Sequence, residues 1–238
     1  MTTTTVRENL ARIQERIARA AAHAGRPAEE ITLIGVSKTH PASAIREAYE
    51  AGIRHFGENR VQEWEGKRSG TEGLAATWHL IGHLQSNKTA RAARLFHCVD
   101  SVDDFAIAQR LERARAEAGI TGKLRVLIEV QIAPEETKSG VEISELAALA
   151  ERCAELPRLQ LAGLMCIPPF LENAEKVRPY FQRLKELRDE LTVKLGIDLP
   201  VLSMGMSHDF EVAIEEGATE VRVGTALFGQ RGTQAAGQ

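Results

Sequence analysis

The chain has 238 residues, with 30 Lys+Arg against 33 Asp+Glu and a formal net charge of −3. That balance argues against a broad basic face for nucleic acid, and no stretch offers the roughly 18 consecutive apolar residues of a membrane span. Three cysteines, Cys98, Cys153 and Cys166, form no CxxC pair, so neither a disulfide framework nor a metal site is expected. The opening MTTTTVRENL lacks the apolar run of a secretory signal, and a cytosolic protein is expected.

Val6, Leu10, Ile13 and Ile17 recur at helical spacing and predict a helix over 6–24. Thr5 and Glu8 have capping-box spacing, and Gly25 with Pro27 supplies the stop. Eight short β-like runs follow, at 31–37, 53–56, 77–81, 97–100, 124–131, 159–166, 200–203 and 219–223. Several are apolar without strict alternation, as strands buried on both faces should be. Between them, Pro41 opens a helix that Gly52 closes, and Ser101 with Asp104 caps one that stops at Gly119. Val177, Phe181, Leu184, Leu187 and Leu191 form the stripe of a long helix ending at Gly196. Ser207 begins another, which Gly217 terminates. Residues 1–232 read as one domain and 233–238 as a loose tail. Strand–helix alternation repeated eight times predicts an α/β fold, a single (β/α)8 TIM barrel with an extra N-terminal helix. The rival is a doubly wound open sheet, but no strand is followed by its GxGxxG turn.

Barrel sites are built at the C-terminal ends of the strands. Lys38 stands at the first such end. A lysine there either attacks a carbonyl to form a Schiff base or pairs in solvent with a carboxylate. The run Ser203-Met204-Gly205-Met206-Ser207 and the pair Gly224-Thr225 offer amides, glycines and hydroxyls to an anion. They follow strands 7 and 8, where barrels most often hold phosphate. Arg222 lies in an apolar run and either points into the barrel with a partner or snorkels outward. His79 and His83 straddle a strand end, so they share no helical face for a metal; a backbone partner is expected for His79 and exposure for His83. Met165, Met204, Met206 and Cys166 read as packing.

Five segments then occur in order: IGVSK (34–38), FGENRVQE (56–63), WHLIGHLQSNK (78–88), LSMGMS (202–207) and VGTALFG (223–229). Together they resemble the YggS/PROSC family of pyridoxal phosphate homeostasis proteins, over about residues 6–231. The resemblance implies a barrel like the N-terminal domain of alanine racemase (PLP fold type III), with pyridoxal 5′-phosphate (PLP) held as a Schiff base on Lys38. It implies that Ser203, Gly224 and Thr225, with the turn through Met204 and Ser207, hold the phosphate. Arg222 would face the pyridine nitrogen, Asn59 and His79 would lie at the cofactor, and Lys138 matches a mobile-loop lysine that assists cofactor exchange. Gln131, Arg60 and His208 stand where the family more often has Asn, an aromatic and an acidic residue.

An arginine opposite the pyridine nitrogen weakens the ring as an electron sink. Racemases of this fold add a second acid/base residue from a C-terminal β-domain and a partner subunit. Here the sequence ends at Gln238, and Tyr49 and Tyr180 fall in predicted helices. The expectation is a monomeric PLP carrier or buffer rather than an enzyme. It would pass cofactor to PLP-dependent apoenzymes and affect amino-acid and keto-acid balance indirectly. The alternatives are a PLP-dependent amino-acid racemase using the same lysine and, outside PLP chemistry, a Schiff-base aldolase that would purify colourless.

Overall fold

The structure, a computed structural model, describes residues 5–133 and 139–229. Lys138 and the tail at 233–238 lie outside the described residues. Eight strands close a parallel barrel in chain order: β1 (Thr32–Val36), β2 (His55–Glu58), β3 (Thr77–Leu80), β4 (Cys98–Val102), β5 (Leu124–Glu129), β6 (Leu159–Met165), β7 (Val201–Met206) and β8 (Glu220–Val223). Closure is the parallel pairing of β1 with β8, which sets Thr32 beside Glu220 and Ile34 beside Arg222. The open sheet is thereby excluded.

Around the barrel run α1 (Val6–His23), α2 (Ala42–Ala51), α3 (Val61–Lys67), α4 (Thr89–Leu95), α5 (Phe105–Glu117), α6 (Ile143–Ala154), α7 (Arg178–Leu195), α8 (Phe210–Glu215) and α9 (Thr225–Phe228). The capping box of α1 forms as its spacing predicts: the Thr5 hydroxyl accepts from the Glu8 N–H at 3.3 Å and the Thr5 N–H donates to Glu8 at 2.9 Å. Its buried stripe is Val6, Leu10, Ile13, Ile17, Ala20 and Ala21, and each large aliphatic residue there contributes roughly 1.5–3 kcal/mol. The helix that follows β8 has only four residues. The N-terminal helix supplies the missing cover, since Arg16 clasps Glu211 of α8 at 2.7 and 3.0 Å and Asn9 donates to the Leu227 carbonyl at 3.0 Å.

Two strands run further than the sequence predicts. Ser101 is fully buried inside β4 and donates to the Gly82 carbonyl at 2.7 Å, so it caps nothing. Asp104 alone caps α5, accepting from the Ala106 N–H at 2.8 Å. Likewise β7 continues to Met206, and α8 begins at Phe210, leaving Ser207 in the connecting turn. The cause is the same in both: a neighbour still offers ladder partners, Ile128 to Val102 and Arg222 to Met206, past a bulge in each strand.

The main apolar core lies between the barrel wall and the helices. A second, smaller apolar cluster is formed by Leu127, Ala162, Met165 and Val201, and Ile34 and Ile81 meet beside Gly57. Polar and charged side chains are buried as well, among them His79, Asp100, Glu220 and Arg222.

Candidate functional site

The lower barrel is filled by a buried chain of charges. His79 on β3 shares a hydrogen bond with Asp100 of β4 at 2.8 Å and another with His55 of β2 at 3.0 Å. His79 and Asp100 are both fully buried. Burial alone would strip the His79 proton, but the Asp100 carboxylate outweighs it and pushes the ring up to about 10. Burial, with His79 and Arg125 nearby, pushes His55 down to about 4. The arrangement is self-consistent: a protonated His79 donates to the carboxylate on one side and to neutral His55 on the other. Arg125 lies 3.3 Å from His79 Nδ1, but a protonated ring cannot accept from it, and Glu220 at 2.6 Å is its real partner. The sequence predicted a backbone partner for His79; its partners are side chains instead. Cys98 joins His79 and Asp100 in a compact trio of potential metal ligands, yet both imidazole nitrogens are engaged and a guanidinium stands beside them. That chemistry suits an ion-pair stack.

Arg222 sits one layer higher, pointing inward and buried. One Nη donates to the Ser203 carbonyl at 2.7 Å and hydroxyl at 2.8 Å, the other to the Cys166 carbonyl at 2.8 Å. These bonds use three of the five N–H groups of a guanidinium and leave two to point elsewhere. Outward snorkelling is excluded. Ser203 lies fully buried beneath the rim and serves the arginine, whereas Ser207 stands half-exposed at the rim.

The turns after β7 and β8 meet there. The Ser207 hydroxyl accepts from the Ala226 N–H at 3.4 Å, tying the turn after β7 to the one after β8. Asp209 accepts from the Met206 N–H at 2.6 Å and tightens the first turn. Gly205 has φ +92°, and a Cβ there would lie 2.6 Å from the Ala213 Cβ and 2.9 Å from the Phe210 Cα. Only glycine fits. Gly205→Ala is expected to cost on the order of 1–3 kcal/mol, read as a lower melting temperature. The Met204 side chain is buried in the main core.

Across the mouth, Lys38 is half-buried two residues past the end of β1, and Asn59 follows directly on β2. The turn carrying Lys38 is unusual. Thr39 has φ +66°, unlike every other non-glycine among the described residues. A β-branched residue in that region costs about 1–3 kcal/mol. The His40 N–H donates to the Ser37 carbonyl at 3.1 Å and closes the turn. The Thr39 N–H donates to Glu63 of α3. Ser37 is fully buried, and its hydroxyl donates to Glu58 at 2.7 Å. Lys67, the last residue of α3, donates to the Ser37 carbonyl at 2.8 Å, to Glu58 at 3.0 and 3.2 Å, and to Glu63 at 2.7 Å. Burial raises Glu58 above the usual carboxylate range. Glu63 is also pushed up by burial, but its bonds from Lys67 and Thr39 prevail and hold it below that range.

Glu129 belongs to none of the five sequence segments. It ends β5, is buried, accepts from the Ser139 hydroxyl at 2.8 Å, and burial raises its carboxyl. Position at a strand end was its only signal. Of the three unusual residues, Arg60 is exposed, His208 shares hydrogen bonds with the Leu171 and Glu172 carbonyls at 3.1 Å each, and the Gln131 N–H donates to the Val141 carbonyl at 2.9 Å. His83 is exposed, as expected, and pairs with Asp103 at 3.1 Å. Beside the mouth a cavity of about 960 Å³ opens between the loops after β2 and β3, lined in part by Asn59, Arg60, Gly82, Gln85 and Lys88.

A closed parallel barrel with a lysine just past its first strand and glycine-bearing turns after its last two belongs to a known class: the alanine racemase N-terminal domain, whose family model matches residues 9–232. Within it, the chain belongs to the family of pyridoxal phosphate homeostasis proteins. It is 49% identical over 224 residues to the protein of that name from Aquifex aeolicus, covering 94% of this chain and 97% of that one. With the Pseudomonas aeruginosa protein of the same name it shares 50% identity over 228 residues, covering 95% and 96%. The structure of PipY from Synechococcus elongatus PCC7942 with PLP bound superposes with a TM-score of 0.81 at 42% identity, covering 91% of this chain and 100% of that one. Alanine racemase from Corynebacterium glutamicum shares the fold at 18% identity with a TM-score of 0.66; 90% of this chain matches 60% of the racemase.

Proposed function

We propose that this chain binds PLP at the barrel mouth and holds it reversibly, as a carrier or buffer in PLP homeostasis. The observation that carries the reading is the convergence on one rim of Lys38, the joined turns after β7 and β8, and inward-pointing Arg222. This donor set fits the cofactor. The turns present N–H groups and hydroxyls to a phosphate, Lys38 presents an amine to an aldehyde, and Arg222 keeps N–H groups to spare for a ring nitrogen. When bound, PLP supplies an aldehyde that condenses with an amine, releasing water, and a ring that withdraws electrons.

Ser207, Gly224 and Thr225 hold the phosphate in this reading, with the backbone from Met204 onward. Ser203 orients Arg222 from below, since both its oxygens accept from the guanidinium. Asn59 lines the rim, and His79 acts through the charge stack beneath Arg222. A guanidinium keeps its proton, so Arg222 disfavours protonation of the ring nitrogen facing it. That weakens carbanion stabilisation and favours storage over turnover. The groups named come from one chain, which supports a monomer, with PLP-dependent apoenzymes of the cytosol as recipients.

Borohydride reduction of the PLP-loaded protein followed by peptide mapping is the test, and the label is expected on Lys38. Label only elsewhere overturns the assignment. The racemase alternative, kept open by the shared fold, predicts Lys38-dependent exchange of an amino acid's α-proton in deuterated water. Arg222→Gln is expected to shift the visible band of the loaded protein and to weaken PLP binding roughly tenfold, by losing a charge-assisted bond. An unchanged spectrum would mean that the arginine does not meet the ring.

A further inference from the structure

The acidic residues of the FGENRVQE segment are untouched by the function above. Glu58 and Glu63 lie on the helix side of the barrel wall with Lys67, against the turn that carries Lys38. We propose that Glu58, Glu63 and Lys67 are positioning residues: a brace that holds the Ser37–Lys38–Thr39–His40 turn in its left-handed geometry and so sets the direction in which Lys38 leaves the strand. The inference rests on the assignment of Lys38 as the cofactor amine.

Three observations converge. First, a turn with positive φ at its third position normally takes Gly or Asn there; a threonine at φ +66° stays only where its surroundings over-determine the conformation. Second, both sides of Lys38 are tied to the same three side chains. The residue before it is held through its hydroxyl by Glu58 and its carbonyl by Lys67, and the residue after it through its N–H by Glu63. Third, the brace is internally paired: Lys67 bonds both carboxylates, and the buried Glu58 has the Ser37 hydroxyl as a further partner. Alternation along β1 sends Ser37 to the helix side and Lys38 to the barrel side. The brace therefore acts through the backbone.

The experiment compares wild type, Glu63→Ala, Glu63→Gln and the double variant Glu63→Ala/Thr39→Gly, all full-length. In apo protein, competitive labelling with acetic anhydride and mass spectrometry read the reactivity of Lys38 against exposed Lys176. In parallel, growth of the visible band after mixing with PLP reads capture. Glu63→Ala is expected to change the relative labelling of Lys38 and to slow PLP capture on the order of tenfold. Glu63→Gln, which keeps an acceptor for the Thr39 N–H, stays near wild type. Thr39→Gly restores capture in the Glu63→Ala background, because glycine adopts φ near +66° unaided; a role confined to stability would lower the melting temperature and leave the relative labelling of Lys38 in the folded protein unchanged. Wild-type labelling and capture in Glu63→Ala, or no rescue by glycine, overturns the brace. Failure of wild type to take up PLP at Lys38 sinks the assignment of the site instead, and the apo labelling then decides the brace by itself.

Discussion

Lys38→Ala removes all borohydride-fixable PLP from the protein while the barrel stays folded. The lysine lies beyond β1, half-buried, and no strand pairing depends on its side chain. Retention should weaken on the order of a hundredfold, about 2.7 kcal/mol, because the turns after β7 and β8 still present their N–H groups to the phosphate. Loss of the visible band with measurable residual PLP binding is the expected pattern, read by absorbance and equilibrium dialysis. Complete loss of binding would place most of the affinity in the lysine. An unchanged band would move the covalent attachment to another residue.

Asp100→Ala is expected to be the most destabilising single substitution in the barrel interior. It leaves His79 without the carboxylate that keeps it charged and Arg125 without a secondary counter-ion 3.7 Å away. Removing one partner of a buried ion pair costs about 3–5 kcal/mol; at roughly 2–4 °C per kcal/mol for a chain of this size, the melting temperature falls by about 6–20 °C. The pH dependence has a definite sign. His79 is raised from its unfolded value to about 10, so its contribution is full below about pH 6.5 and is lost as pH climbs through 10. Asp100 is driven the other way: burial pushes it up, but His79 prevails and holds it below the usual carboxylate range. Its contribution is therefore present above that range and lost as pH falls into acid. Thermal melts from pH 6 to 10 should show falling wild-type stability and a flatter profile in Asp100→Asn. A wild-type profile with no alkaline decline would mean that His79 is neutral in the fold.

Much of the fold is legible in local patterns. The α1 capping box and its apolar stripe stand in the sequence as they stand in the structure, and Gly196 ends α7 in the left-handed conformation that glycine makes cheap. The strands are recognisable because both their faces are buried. The helices α3 and α4, seven residues each, escape notice because two turns are too few to display a period. Ser101 misleads because a serine three residues before an aspartate looks like a cap wherever it lies. Only the pairing of β4 with β5 shows it to be strand.

Of the proposed site, Lys38, Gly224 and Thr225 are suggested by their position at strand ends, and the five ordered segments point to the cofactor. The function of Ser203 is not legible, because its hydroxyl could meet a phosphate or an arginine, and which it meets depends on Arg222, 19 residues away. The brace under Lys38 is hidden for the same reason. Glu58, Glu63 and Lys67 look like solvated charges until α3 is folded against β1.

The alternation of apolar runs with helical stripes, read from residue types alone, determined the eight strands, the helices α1, α2, α5, α7 and α8, their order and the amine at the first strand end. Those depend on interactions within a few residues. Closure of the barrel by β1 and β8, the inward direction of Arg222, the partner chosen by Ser203 and the buried chain from His55 to Glu220 were decided only by tertiary structure. Each pairs groups distant in sequence, and a buried charge or hydroxyl takes whichever partner the packed fold brings within hydrogen-bonding reach.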